Sequence, residues 1–202
     1  MIHTILFFVD GLGWGRADPA TNPQISYGGD LFAFSRYQPR ADGLFGAPRG
    51  GLARPVDAVL GVEGVPQSAT GQTTLLSGVN AQAVLGKHLT GFPNDKLREI
   101  LLEHSILRRF ALAGRRARFL NAFRPRFFEL PRERQLQFSA TTVSNLAGDL
   151  PFYRLEDIAD GRSVYQDFTN RELIQRDFDV APMEPAEAGR ILARCSQRND
   201  FT

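Results

Sequence analysis

The chain has 202 residues, of which 43% are hydrophobic and 23% charged, so it is long enough for one substantial α/β domain of ordinary globular composition. A net charge of +2 does not favour a strongly charged partner, and no apolar run approaches the roughly 20 residues that cross a bilayer. The single cysteine, Cys195, excludes an intramolecular disulfide and fits a reducing compartment. We therefore expect a cytoplasmic protein that does not bind a membrane.

An apolar run near the N-terminus, residues 2–9, is the first predicted element. It is short and rich in β-branched and aromatic residues, which is typical of a strand buried on both faces of a parallel sheet. Asp10 follows directly and leads into the turn Gly-Leu-Gly-Trp-Gly. A carboxylate at the carboxyl end of a buried strand indicates a metal or ligand site, with an Asx turn as the alternative. The Gly-x-Gly-x-Gly spacing does not match a dinucleotide fingerprint.

A glycine- and proline-rich segment, residues 16–54, is predicted to be a long loop with one short helix around residues 31–37. Asn22 is a candidate substrate contact in this loop, and turn chemistry before Pro23 is the alternative interpretation. Residues 51–62 alternate in a way that predicts one or two short strands leading to Pro66.

A helix is predicted over residues 68–77, and Ser68 lies at its start. The first turn of a helix leaves amides unpaired and carries partial positive charge, which suits a phosphate group. The alternative is structural, because serine and threonine are ordinary N-cap residues and either Ser68 or Thr70 would fill that position. Local chemistry leaves both interpretations open.

Taken together, the two motifs resemble those of the alkaline phosphatase superfamily of two-metal enzymes. Asp10 and its glycine turn follow an apolar strand, and Ser68 lies ten residues ahead of Gly78, which closes a Leu-Leu-Ser-Gly segment. The pattern is most similar to the branch containing cofactor-independent phosphoglycerate mutase and phosphopentomutase. The resemblance implies an α/β sandwich with a mainly parallel central sheet flanked by helices. We expect a single domain of this kind over residues 1–202, and the acidic and aromatic composition of residues 151–182 allows a small cap or insertion there.

The resemblance also implies a site. Ser68 would be the nucleophile, with Thr70 as the alternative, and Asp10 and Ser68 would bind the same divalent metal. Two metal ions (Mn²⁺, Zn²⁺ or Mg²⁺) would support phosphoryl transfer from a small phosphorylated substrate, in a hydrolase or a mutase. Lys87 and His88 follow about twenty residues later, where relatives place phosphate or leaving-group contacts, and a surface loop is the alternative interpretation.

The chain departs from the family pattern in its histidines. The family has a second ligand set near the C-terminal end, made of an Asp-x-x-x-His, an Asp-His pair and a further His. Here the histidines are His3, His88 and His104, and neither Asp-x-x-x-His nor Asp-His occurs. We therefore expect a fold that is incomplete at its C-terminus, as part of a longer enzyme. The alternative function is a non-catalytic binding or scaffold chain, or an inactive truncated fragment.

Three later helices are predicted, from residue 94 or 95 to Gly114, over residues 133–146 and from Pro185 onward, with a strand over 117–123. Nine arginines within 27 residues of this part of the chain are Arg108, Arg109, Arg115, Arg116, Arg118, Arg124, Arg126, Arg132 and Arg134. Such a cluster is one argument for a nucleic-acid partner. Arginine is also an ordinary solvated residue, and no nucleic-acid-binding motif accompanies the cluster, so we predict no such partner.

Overall fold

The computed structural model describes residues 3–27 and 29–202, which form two compact units. The smaller unit contains residues 8–27 and 29–58, and the larger unit contains residues 3–7 together with 59–202. The residues of the predicted site are divided between these units. Asp10 and Asn22 belong to the smaller unit, whereas Ser68, Lys87 and His88 belong to the larger one.

The smaller unit is built around an antiparallel sheet of three short strands and a cluster of aromatic rings. The strands are β1 (Gln38–Pro39), β2 (Phe45–Gly46) and β3 (Leu52–Ala53), in the order β1-β2-β3. Single turns of 3-10 helix occupy Pro23–Ile25, Phe34–Arg36 and Pro48–Gly50. The Trp14 ring stacks on the Phe34 ring, with 5.0 Å between the ring centroids, and its centroid lies 4.7 Å from that of Phe45. The helix predicted around residues 31–37 is therefore a single 3-10 turn, held by aromatic packing.

The larger unit is mainly helical. Its described α-helices are α1 (Ser68–Ser77), α2 (Ala81–Leu85), α3 (Asp95–His104), α4 (Ile106–Leu112), α5 (Pro125–Phe128), α6 (Arg132–Gln135), α7 (Ala140–Ala147), α8 (Glu156–Ala159), α9 (Arg171–Gln175) and α10 (Pro185–Ser196). Two short strands, β4 (Ala122–Phe123) and β5 (Tyr153–Arg154), pair in parallel, with Ala122 opposite Tyr153. None of the helices in the described part of the chain is long and apolar enough to cross a membrane.

The predicted fold class, a sandwich with a mainly parallel central sheet, is wrong. The structure is 39% helix and 8% strand, with one three-stranded antiparallel sheet and one two-stranded parallel sheet. Elsewhere in the described ranges, pairing outside these sheets is limited to single parallel bridges, which join Thr4 to Phe201, Ala117 to Phe201 and Asn121 to Val164. A continuous sheet needs consecutive backbone pairs, and the extended segments do not run side by side for long enough to form them.

The N-terminal apolar run does not form the buried strand that its composition predicts. Ile2, the first residue of that prediction, lies outside the described residues. Ile5, Leu6 and Phe7 are 43%, 44% and 64% exposed. The composition of the run is compatible with burial, but burial also requires elements packed on both faces, and composition does not determine where those elements lie.

The backbone of the same run pairs with the last residues of the chain. The Thr4 amide donates to the Asp200 carbonyl (3.0 Å), and the Leu6 amide donates to the Thr202 carbonyl (2.8 Å). In return the Thr202 amide donates to the Thr4 carbonyl at 2.9 Å. These bonds satisfy backbone groups along one edge of the run without covering its side chains.

Helices α1, α3 and α7 pack against one another and form the main core of the larger unit. Leu97 and Leu101, one turn apart on α3, are fully buried and face different partners. Leu97 packs in a cluster with Ala69 of α1, and Leu101 packs in a cluster with Leu76 of α1 and Val143 of α7. The core therefore fixes both ends of α1, including the turn that carries Ser68.

Two of the predicted helices are confirmed, and two are divided. Helix α1 covers the predicted residues and ends at Gly78, whose φ of 75° suits glycine, and α10 begins at Pro185. The helix predicted from residue 94 or 95 is broken at Ser105, whose hydroxyl accepts from the Arg108 amide and starts α4. The same hydroxyl lies 2.6 Å from that of Ser144 in the buried interior. The helix predicted over 133–146 is likewise divided into α6 and α7.

Candidate functional site

Ser68 is the first residue of α1. The preceding residue, Gln67, has extended backbone angles (φ −130°, ψ 155°), so the chain turns sharply into the helix at Ser68. The Ser68 side chain is partly exposed. Two other hydroxyls of the helix are buried and committed to backbone carbonyls, since Thr73 donates to Ala69 (2.7 Å) and Ser77 donates to Thr73 (2.6 Å). Ser68 is thus a partly exposed residue at the start of a well-packed helix.

Thr70, the alternative nucleophile, is fully buried. Its hydroxyl donates to the Gln67 carbonyl and accepts from the Leu89 amide, both at 3.3 Å. These bonds connect α1 to the loop that follows α2. A hydroxyl held between two backbone groups and shielded from solvent is poorly placed to meet a substrate, so burial favours Ser68 over Thr70.

The first amides of α1 are not an open anion site. The Leu89 carbonyl accepts from the amides of Ala69 (3.0 Å) and Thr70 (3.4 Å). The expectation that unpaired amides of this turn would receive a phosphate is therefore wrong for these two groups. A carbonyl from a distant loop closes the helix start, a contact that local sequence does not indicate.

The Leu89 contact places the loop carrying Lys87 and His88 beside the turn that carries Ser68. The Nε2 atom of His88 lies 3.0 Å from the Val62 carbonyl, which only accepts, so Nε2 carries the proton. Nδ1 is buried without a hydrogen-bond partner among the described residues. His88 therefore joins Val62 to this loop, whereas the Lys87 side chain is exposed at the surface.

Asn22 and Asp10 have different surroundings within the smaller unit. The Asn22 side chain accepts from the Gln24 amide (3.1 Å) and donates to the Arg16 carbonyl (2.8 Å), so it caps the 3-10 turn that begins at Pro23. These contacts match the turn chemistry that is the alternative interpretation of Asn22. Asp10 is exposed at the start of the glycine turn.

The predicted metal centre requires more ligands than Asp10 and Ser68. Magnesium and related ions take about six oxygen ligands, some of which come from water and substrate. Within residues 3–27 and 29–202, no group of three or more His, Cys, Asp or Glu side chains is arranged to hold a metal ion. The described residues therefore supply no ligand cluster to which a metal-dependent step could be assigned, and we assign no chemical step to a metal.

Comparison of the chain with protein-family models, curated proteins and solved structures finds no match. The resemblance to the alkaline phosphatase superfamily therefore depends on the motifs at Asp10 and Ser68 alone.

A cavity in the larger unit is not predicted from the sequence. It has a volume of about 400 Å³ and is lined in part by Arg118, Tyr153, Asp157, Arg162 and Arg198. The sequence indicates Arg118 only as one member of an arginine-rich segment. The other residues lie 35 to 80 positions further along the chain, so no local motif could group them.

Proposed function

We propose that the chain carries out phosphoryl transfer at Ser68, as a phosphomonoester hydrolase or a phosphomutase. The observation that carries this proposal is the position of Ser68, a partly exposed serine that is the first residue of α1. Hydrogen bonds from the same turn to Leu89 hold the Lys87–His88 loop beside it. A serine hydroxyl can accept a phosphoryl group, and a lysine ammonium on the adjacent loop can neutralise its charge.

In the proposed reaction the Ser68 oxygen forms a bond to phosphorus while the bond from phosphorus to the leaving oxygen breaks. The Ser68 hydroxyl releases its proton to solvent, the leaving oxygen takes up a proton from solvent, and the exposed Lys87 ammonium offsets negative charge on the phosphoryl oxygens. Attack by water on the phosphoserine would complete hydrolysis, whereas return of the group to another hydroxyl of the substrate would complete a mutase cycle. We further propose, from the sequence alone, that the reaction uses two divalent metal ions and takes place in the cytoplasm.

The test is turnover of p-nitrophenyl phosphate by the purified chain with added Mn²⁺. We expect Ser68→Ala to reduce the rate to the background level, because the acceptor oxygen is removed. Ser26→Ala removes an exposed serine hydroxyl in the smaller unit and should retain the rate of the unchanged chain. Mass spectrometry of the quenched reaction should locate the added phosphoryl group on Ser68 and not on Thr70.

Equal turnover by the chain and by Ser68→Ala would contradict the proposal. Calorimetric titration with Mn²⁺ addresses the alternative, a non-catalytic binding or scaffold chain. The absence of both turnover and metal binding would favour that alternative, and loss of Mn²⁺ binding in Asp10→Asn would support the predicted ligand role of Asp10.

A further inference from the structure

We infer that the cavity lined by Arg118, Tyr153 and Arg198 binds a small phosphomonoester. Its volume of about 400 Å³ falls within the range of about 300–1,000 Å³ that is usual for small-molecule sites. Its lining includes three guanidinium groups but only one carboxylate, that of Asp157. Ser68 does not line this cavity, so the inference does not depend on the proposed transfer reaction.

Two of the three guanidinium groups are available to a ligand. Arg162 is held by Asp157 and Asp160, each at 2.7 Å, so its charge is already balanced. Among the described residues, the side chains of Arg118 and Arg198 have neither a hydrogen bond nor an ion pair. A guanidinium group presents paired N–H donors that match two oxygens of a phosphate, and two such groups can bind one dianion.

Tyr153 contributes a neutral hydroxyl donor and an apolar ring surface to the cavity. Its hydroxyl makes no hydrogen bond to the described part of the chain, although its ring packs in the core. Burial raises the pKa of the Tyr153 phenol, an effect that the nearby Arg118 charge opposes, so the hydroxyl stays protonated near neutral pH. The neighbouring Phe152 ring packs on Phe123 (4.9 Å) and Phe127 (4.8 Å). The cavity can therefore contact an apolar body as well as an oxyanion.

Backbone hydrogen bonds hold the segments that carry these side chains. The Arg118 amide donates to the Phe201 carbonyl at 3.0 Å, and Tyr153 lies in β5 opposite Ala122. The buried thiol of Cys195 on α10, which also lines the cavity, donates to the Arg162 carbonyl at 3.4 Å. Tyr153 thus lies in a strand pair, the Arg118 backbone is bonded to the segment at Phe201, and the Arg198 amide, just after α10, donates to the Cys195 carbonyl at 3.1 Å.

The test is calorimetric titration of the chain with phenyl phosphate in EDTA, which removes the metal ions that the proposed transfer reaction would require. We expect saturable binding of one molecule and at least about tenfold weaker binding to the double variant Arg118→Met/Arg198→Met, because charged hydrogen bonds are lost. The matched control, Arg109→Met/Arg115→Met, removes the same two charges from exposed residues outside the cavity and should bind within about twofold of the unchanged chain. Tyr153→Phe should weaken binding by a smaller factor.

Further ligands and a second readout separate the possible outcomes. Inorganic phosphate should bind more weakly than phenyl phosphate, and benzoate binding as tightly as phenyl phosphate would contradict a phosphate site. The inference would be overturned if both double variants lost affinity for phenyl phosphate equally and the unchanged chain also bound a single-stranded oligonucleotide. That result would indicate a diffuse basic surface. In the unchanged chain, saturating phenyl phosphate should raise the midpoint of thermal unfolding, so the test does not depend on variants that fold. The absence of saturable binding or of this rise would also overturn the inference.

Discussion

At the scale of single residues, Asp167 shows how one carboxylate organises a turn. It accepts from the Thr169 hydroxyl (2.6 Å), the Thr169 amide (3.1 Å) and the Glu172 amide (2.8 Å), the last of which lies in the first turn of α9. These hydrogen bonds, chiefly the one from the Thr169 hydroxyl, lower the pKa of Asp167 below its ordinary value. The folded state therefore favours the ionised carboxylate.

We predict that Asp167→Asn destabilises the protein by about 1 kcal/mol at pH 7, because an amide cannot accept with both of its terminal atoms. The contribution of the carboxylate is complete above its unfolded pKa of about 3.9 and is lost as the pH falls through the lower folded pKa. The difference in free energy of unfolding between the unchanged chain and Asp167→Asn should therefore become smaller in strong acid. Urea unfolding across pH 2–7 measures this difference in stability. Asp179→Asn, at an exposed carboxylate, is the control. Equal pH dependence of both variants would contradict this role.

Single residues of the candidate site differ in how far the sequence predicts their positions and partners. The predicted position of Ser68 at a helix start is confirmed, because proline, small residues and leucines mark that boundary locally. His88 lies in a loop, but its bond to the carbonyl of Val62 joins residues 26 positions apart. Spacing along the chain cannot determine such a partner.

At the scale of elements, helices with local boundary signals are predictable and breaks caused by distant contacts are not. Helix α10 begins at Pro185, which is favoured in the first turn of a helix. The division between α3 and α4 depends on Ser105, whose hydroxyl contacts both the hydroxyl and the carbonyl of Ser144 on α7. The apolar periodicity continues through Ser105, so the pattern alone predicts one uninterrupted helix.

We predict that Leu97→Ala, on the buried face of α3, lowers the free energy of unfolding by about 3 kcal/mol, because it leaves a cavity in the core. Leu112→Ala makes the same chemical change at the end of α4, where the side chain is 74% exposed. It should change stability by less than about 0.5 kcal/mol. Denaturant unfolding followed by circular dichroism compares the two variants. Similar losses in both would contradict the packing of α1 against α3.

At the scale of the whole molecule, the fold class is the part that sequence reasoning could not predict. Hydrophobic content and apolar runs indicate which residues can be buried, but they do not determine how many segments run side by side. The run ending in Phe7 illustrates this, since its composition fits a central strand while its side chains remain largely exposed. The sheets stay small because the extended segments pair over one or two residues each.

The exposed run also predicts how the molecule behaves at high concentration. We expect Phe7→Lys to raise the concentration at which the protein aggregates, because a charge interrupts a row of exposed apolar side chains beside an extended backbone. Phe92 is equally exposed (both 64%) but lies outside this run, so Phe92→Lys should have a smaller effect. Static light scattering at increasing protein concentration measures the onset of aggregation in both variants. A larger effect at Phe92 would show that the N-terminal run is not the site of association.

The hydrogen bonds that join Thr4 and Leu6 to Asp200 and Thr202 connect positions at opposite extremes of the described chain. Forming them closes nearly two hundred residues into a single ring, and the entropy lost in closure grows with the logarithm of ring size. Such a contact is favourable only once the intervening polypeptide is already compact. We therefore expect the pairing of Thr4 with Thr202 to form late in folding and to open early in unfolding.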